Sequence, residues 1–266
     1  MYRQYLEQLE PLMQQASAAA LAVYEQRDRW QVTAKSDDSP VTAADLAAHK
    51  VLVEGLPKIA DIPVLSEESD ITPFLERCRW QRYWLVDPLD GTKEFINGNG
   101  EFTVNVALIE VGRPVLGVVS VPVSGDVYMG ADGIGATKNQ KPIHCRQLEA
   151  GQIPKVVASR RHGSEEGRQA LANIEAYFGE VELVQVGSSL KFCLIAEGNA
   201  DCYPRFAPTC EWDTAAAQAV LEAAGGKVLG LDGKALGCNQ KDSLLNPFFV
   251  GVGAGATPWL TILAGS

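Results

Sequence analysis

Trp84-Leu85-Val86-Asp87-Pro88-Leu89-Asp90-Gly91-Thr92 is the stretch on which the reading of this chain turns. Tyr83 to Val86 is an apolar run of strand type, and it stops abruptly at Asp87. Two carboxylates three residues apart follow it, where each is costly to bury without a partner. Pro88 fixes its own φ and stiffens the turn between them. Gly91 lets a ligand approach the backbone closely, and Thr92 sets a hydroxyl beside it. Upstream, Val64-Leu65-Ser66 reads as a short strand ending at Glu67-Glu68, adjacent like charges that repel unless something cationic binds. Hard divalent cations take oxygen ligands, and Mg²⁺ commonly combines carboxylates with a substrate phosphate. Asp87 and Asp90 together therefore point to a metal site. Two further acids stay open to a second account: Asp213 opens a helical segment, where acids cap, and Asp45 lies three residues after Thr42 in a variant capping box.

Outward from this centre, Tyr5, Leu6, Leu9, Met13, Ala16, Ala20 and Tyr24 recur at helical spacing and predict an amphipathic helix over 3–27. Its polar face mixes Gln, Glu and Arg, which favours a packing helix over a membrane-surface one. Thr42 begins a second helix that should end near Leu56, where Pro57 follows. Phe102, Val104, Val106 and Leu108 alternate with Thr103, Asn105 and Ala107, and 115–121 and 126–130 continue the sheet. Asn139-Gln140 reads as a turn, and the Gly130, Gly133, Gly135 patch as hairpin turns with the wrong spacing for a dinucleotide fold. Near residue 150 the pattern changes to strands (156–158, 181–186, 201–205) alternating with helices (164–177, 188–196, 212–224), the last closed by Gly225-Gly226. The expected organisation is an N-terminal α+β domain over 1–150 with most metal ligands, and a C-terminal α/β domain over 151–266 that contributes Asp213.

The 266 residues, 46% hydrophobic and 21% charged, suit a globular chain with a sizeable core. A net charge of −10 and a pI near 4.9, without a Lys/Arg run, argue against nucleic-acid binding. An acidic protein still handles an anionic substrate when a metal inverts the local field. The six cysteines are scattered with no CxxC pair, and the three histidines give no zinc set; His144 beside Cys145 is a poor chelate. Reduced structural thiols fit a cytoplasmic protein. No basic stretch leads into an apolar run at the N-terminus, and no window is apolar enough to span a bilayer, which leaves room only for peripheral contact at the cytoplasmic face of the inner membrane.

Leu65-Ser66-Glu67-Glu68-Ser69, then Trp84 to Thr92, then Trp212-Asp213-Thr214-Ala215-Ala216 resemble, in order and separation, the three signature segments of the lithium-sensitive, magnesium-dependent phosphatases of the inositol monophosphatase superfamily. The resemblance extends over essentially the whole chain and implies a layered α/β/α/β/α sandwich with the site in the cleft between its two parts. Lys93-Glu94-Phe95 after the Asp-Gly-Thr, Gly187-Ser188-Ser189-Leu190-Lys191-Phe192-Cys193, and Tyr203-Pro204-Arg205-Phe206 look like the CysQ-type 3′(2′),5′-bisphosphate nucleotidases within it.

The resemblance implies the following roles. Glu67, Asp87 and the Leu89 carbonyl hold one Mg²⁺; Asp87, Asp90 and Asp213 hold a second, and Glu67 reaches a third, weaker ion. The attacking water lies near Glu67 and Thr92, with Asp45 pairing to Thr92. Backbone N–H groups at Gly91 and Thr92 grip the scissile phosphate. Ser188 contributes to substrate binding, and Lys191 and Arg205 supply positive charge for a second phosphate, although on charge alone they also read as surface cations. The implied substrate is adenosine 3′,5′-bisphosphate, the by-product of sulfate activation. Two alternatives stand beside it: an inositol monophosphatase or broad sugar-phosphate phosphatase, and an inactive metal or nucleotide sensor on the same fold.

Overall fold

In the computed structural model, which describes residues 1–26, 33–34, 40–158 and 164–265, the chain builds two sheets in succession. Helix α1 (Tyr2–Tyr24), the short pair β1 (Thr33–Ala34) and β2 (Pro40–Val41), and helix α2 (Ala43–Ile59) come first. Next are β3 (Val64–Ser66), α3 (Phe74–Arg77), β4 (Arg82–Asp90), α4 (Thr92–Asn97) and a run of five strands. These are β5 (Thr103–Glu110), β6 (Arg113–Val121), β7 (Asp126–Ala131), β8 (Gly135–Lys138) and β9 (Lys141–Ile143). Strands β3 to β9 form a seven-stranded sheet in sequence order, parallel only at β3–β4.

The second half runs β10 (Lys155–Ala158), α5 (Glu165–Phe178), β11 (Glu182–Gln185), α6 (Leu190–Ala196), β12 (Cys202–Arg205) and α7 (Glu211–Ala223). It ends with β13 (Lys227–Gly230), β14 (Phe249–Val252) and α8 (Trp259–Ala264). The five strands order as β11-β10-β12-β14-β13, with β10 parallel to both of its neighbours.

Alternation on β4 and β5 sorts the core into layers. Trp84, Val86, Val104, Val106 and Leu108 face α1 and α2, joining Leu9, Met13, Ala48 and Leu52. Burying Leu9, Leu52 and Leu56 completely contributes roughly 2 kcal/mol each. Tyr83, Leu85, Ala107 and Ile109 face the opposite way, onto Phe192 of α6 and Ala215, Ala216 and Val220 of α7. Val157, Tyr203 and Phe249 of the second sheet close that same layer. Its far face, through Val156, Val250 and Val252, packs on Ile174 of α5 and Ile262 of α8. The result is the α/β/α/β/α sandwich.

Helix α7 lies directly on the larger sheet because two strand positions lack a Cβ. A Cβ at Gly117 would stand 2.0 Å from the Ala216 carbonyl oxygen, and one at Gly130 would stand 2.7 Å from the Val220 Cα. That close approach carries the first turn of α7 to the end of β4.

Several local expectations are corrected. Of the glycine patch expected as hairpin turns, only Gly133 lies in the turn; Gly130 sits inside β7 facing α7, and Gly135 opens β8. The strand expected to stop at Asp87 continues to Asp90, because a register slip between them admits Pro88, which has no N–H to pair. Helix α2 passes through Pro57 to Ile59, since proline's φ is helical and one lost bond near the end is tolerated while Leu56 packs below. The helix expected from Ser188 begins at Leu190, with Ser188 itself left-handed at φ 45°. Strand β5 begins at Thr103, one residue after Phe102. The first helix, expected to run to residue 27, ends at Tyr24, with Glu25 as its C-cap.

Candidate active site

The carboxyl end of β4 is built to hold acids in a dry place. Asp87 pairs across the sheet with Asn105 and Asp90 with Thr103, with the slip between them. The Leu89 N–H donates to Asp87 Oδ1 at 3.0 Å, and the Leu89 side chain anchors the bulge in the α1/α2 layer. Gly91, at φ 91°, then turns the chain so that Thr92 starts α4.

Three elements converge here. The Glu67 N–H donates to the Val86 carbonyl at 3.1 Å, which holds the end of β3 against β4. Asp213 sits in the first turn of α7. Glu67, Asp87 and Asp213 each present an oxygen, all within 4.8 Å of one another. Asp87 is 1% exposed, and its Oδ2 has no hydrogen-bond partner. Burial, then the charges of Glu67, Asp90, Asp213 and Asp45, push its carboxyl well above the usual range. Asp213 is raised likewise by burial and by Asp90, against the Cys210 N–H and Arg205. Burial raises Asp90 to about 6, opposed by Lys191 and by the Ser189 N–H. Crowded, mutually repelling oxygen donors around the buried Asp87 and its orphaned atom, with Glu67 and Asp213 half-buried, fit hard divalent cations.

Asp45 accepts from both the N–H (2.9 Å) and the hydroxyl (2.5 Å) of Thr42 through the one oxygen Oδ2, completing the capping box of α2. Burial raises its carboxyl to about 6, and its charge is felt at Asp87. Among the described residues no hydrogen bond joins it to Thr92.

The opposite wall comes from the turn before α6. The missing Cβ of Gly91 would stand 3.1 Å from Ser188 Cβ, so the two backbones meet there. The Ser188 hydroxyl oxygen is buried without a partner. Lys191 is buried at 6% exposure; its Nζ donates to the Ser188 carbonyl at 2.9 Å and lies over the Tyr203 ring. Burial and the neighbouring Arg205 lower its pKa to about 8, against the pull of Asp90. Arg205 donates to the carbonyls of Ala207 and Pro208 at 3.1 and 3.0 Å. Lys191 is thus no surface cation.

Sequence reasoning passed over three further contributors. Glu101 Oε2 accepts the Gly187 N–H at 2.8 Å, His49 Nδ1 meets Ser66 Oγ at 2.9 Å beside Glu67, and Ser189 bonds to Thr103 and Asn105. Polar Thr103 and Asn105 at alternate positions in an apolar strand were the available signal. The other two depend on contacts distant in sequence, which no local pattern reveals.

The layering and the acid cluster at the junction of the two sheets define a class, and the chain belongs to the inositol monophosphatase family, whose model matches residues 2–257. Within it, the chain is 50% identical over 246 residues to the 3′(2′),5′-bisphosphate nucleotidase CysQ of Salmonella typhimurium, covering 92% of this chain and 98% of the relative. The protein of the same name from Haemophilus influenzae is 36% identical over 242 residues, 87% of each chain. The crystal structure of CysQ from Bacteroides thetaiotaomicron superposes with a TM-score of 0.84 at 38% identity, covering 96% of this chain and 99% of that one.

Proposed function

We propose that the chain is a Mg²⁺-dependent phosphomonoesterase that hydrolyses adenosine 3′,5′-bisphosphate to AMP and phosphate. The observation that carries this reading is the pairing of two charge environments. A cluster of carboxylates around the buried, orphaned Asp87 oxygen faces a wall holding the buried Lys191 cation. The identity to relatives named for this activity supports the substrate class.

Glu67, Asp87 and the Leu89 carbonyl would hold one ion, and Asp87, Asp90 and Asp213 a second, with a third, weaker one near Glu67. Magnesium bound there supplies Lewis acidity toward phosphoryl oxygens and acidifies water. Glu67 and Thr92 Oγ1 orient the attacking water. Asp45 serves as proton acceptor: its carboxyl, raised to about 6, is ionised at neutral pH, and the bonds from Thr42 engage only Oδ2. The N–H groups of Gly91 and Thr92 cradle the scissile 3′-phosphate. Ser188, Lys191 and Arg205 take the 5′-phosphate, whose charge offsets that of two neighbouring cations. In this scheme residues 1–150 supply most metal ligands, and 151–266 supply Asp213 and the nucleotide contacts.

We place the enzyme in the cytoplasm. Its six cysteines carry free thiols, the state a reducing compartment maintains. Among the described residues no helix is long and apolar enough to cross a membrane.

The deciding experiment is phosphate release from adenosine 3′,5′-bisphosphate with and without Mg²⁺, and then with Li⁺. Magnesium-dependent AMP formation suppressed by lithium is expected. Activity on inositol 1-phosphate alone would refute the substrate assignment, and magnesium binding without release from either would mark a sensor.

A further inference from the structure

Behind the site, three buried side chains close a ring that the reaction itself does not use. Asn105 Nδ2 donates to Thr103 Oγ1 at 3.2 Å, and Ser189 Oγ donates to Asn105 Oδ1 at 2.9 Å. The third side is the 2.8 Å contact between Thr103 Oγ1 and Ser189 Oγ. The Ser189 proton is engaged with Asn105, so the Thr103 hydroxyl must donate across that side. Each residue then donates once and accepts once, and the bonds run in one direction round the ring, the arrangement in which they polarise one another. Thr103, Asn105 and Ser189 are 0%, 1% and 2% exposed, so no water replaces a lost partner.

The ring's place in the fold is informative. Thr103 and Asn105 are the cross-strand partners of Asp90 and Asp87. Ser189 stands at the N-cap of α6, on the other half of the chain. Immediately before it, Ser188 is held left-handed at φ 45°, a conformation that persists in a non-glycine residue only when its surroundings over-determine it. Gly187, one residue further back, is held by Glu101. The turn is therefore clamped at both ends, with its strained residue against Gly91.

We propose that Thr103, Asn105 and Ser189 form a positioning network that sets the Gly187–Ser188 turn against the acid-bearing end of β4, so that substrate binds a preformed wall. The proposal rests on the catalytic reading of this site. None of the three touches the substrate; they act through Ser188 and Asp90.

The test compares Ser189→Ala, Thr103→Val, the double variant and Thr103→Ser at saturating Mg²⁺, with amide hydrogen exchange over 186–192 as a readout independent of turnover. Ser189→Ala and Thr103→Val should each lower kcat/KM about tenfold, mainly through KM, because each breaks the same ring. The double variant should be no worse than the poorer single one, and Thr103→Ser, which keeps the hydroxyl, should stay near wild type. Exchange over the turn should quicken while the rest of the chain keeps its protection. If Ser189→Ala lowers only the melting temperature, with KM, kcat and turn exchange unchanged, the network is merely structural and the proposal fails. Independent losses that multiply in the double variant also overturn it. Should Thr103→Val not fold, Ser189→Ala decides alone. If the wild-type protein cleaves inositol 1-phosphate and not the bisphosphate, the functional reading fails while the same comparison, run on that substrate, still decides this one. If it cleaves neither, turn exchange in Ser189→Ala decides.

Discussion

Replacing Asp87 by Asn should make the metal-free protein more stable and the magnesium-loaded protein less so. Asp87 is buried, its Oδ2 has no partner, and Glu67 and Asp213 present oxygens within 4.8 Å. At that separation and an effective dielectric near 20, each ionised pair repels by about 3 kcal/mol. The whole repulsion is not recoverable, because the raised Asp87 carboxyl relieves part of it by taking up a proton. Removing the charge while keeping the shape should therefore stabilise the fold by about 2 kcal/mol, or about 4–8 °C in melting temperature. The new amide can also donate to a neighbouring carboxylate. Thermal unfolding in EDTA and in Mg²⁺ reads both halves of the argument. Wild type should gain about 2.7 kcal/mol per ion at a hundredfold excess over Kd, whereas the variant should gain little and lose turnover. An Asn variant that melts below wild type in EDTA, or a wild type indifferent to Mg²⁺, would refute the reasoning.

Asp90→Asn should cut phosphate release by at least about a hundredfold with an unchanged circular dichroism spectrum; near-normal turnover would remove Asp90 from the metal set. Lys191→Met keeps the buried volume and removes the charge, so kcat/KM on adenosine 3′,5′-bisphosphate should fall about tenfold more than on 3′-AMP. Equal losses on the two substrates would detach Lys191 from the 5′-phosphate. Gly117→Ala should destabilise by about 3 kcal/mol or more in urea titration, because its Cβ would meet the Ala216 carbonyl oxygen at 2.0 Å. Burial raises Glu211 from 4.5 to about 7, so between those values the folded state binds the extra proton. Stability is present below that window and falls as pH rises through it, by about 3 kcal/mol at most. Glu211→Gln, compared with wild type in EDTA, should flatten that slope; an unchanged slope would show that Glu211 does not titrate there.

The layered architecture was legible where periodicity is strong. The helical spacing from Tyr5 to Tyr24 and the alternation from Phe102 to Leu108 depend on burial of one face, and burial leaves its mark in sequence. Elements held by contacts distant in sequence left no such mark. Strand β14 is four residues between partners from β12 and β13, and α8 is six residues docked on α5. The continuation of β4 past Asp87 was hidden because Pro88 reads locally as a stop. Only the slipped pairing with β5 makes it a bulge. At the site the acids themselves were legible, since an acid after an apolar strand conflicts with its surroundings. The burial of Lys191 was not, because a single lysine carries no signal of what covers it.

The two acids left open between cap and ligand show why local reasoning could not choose. Asp45 and Asp213 both occupy the third position of a helix, and both accept the N–H of their N-cap residue at 2.9 Å through Oδ2. Capping engages one oxygen of a carboxylate and leaves Oδ1 outside the cap, so the structural role fixes the side chain that the chemical role needs. The first turn of α7 carries Asp213 into the cluster, so the partial positive charge of that helix N-terminus tempers the repulsion among the acids. A cap at this position is therefore a device for placing a carboxylate in a crowded, buried site without a flexible side chain. It also explains why α7 must lie so close on the sheet. Gly117 and Gly130 set the height of the helix, the helix sets its first turn, and the first turn sets Asp213 within reach of Asp87.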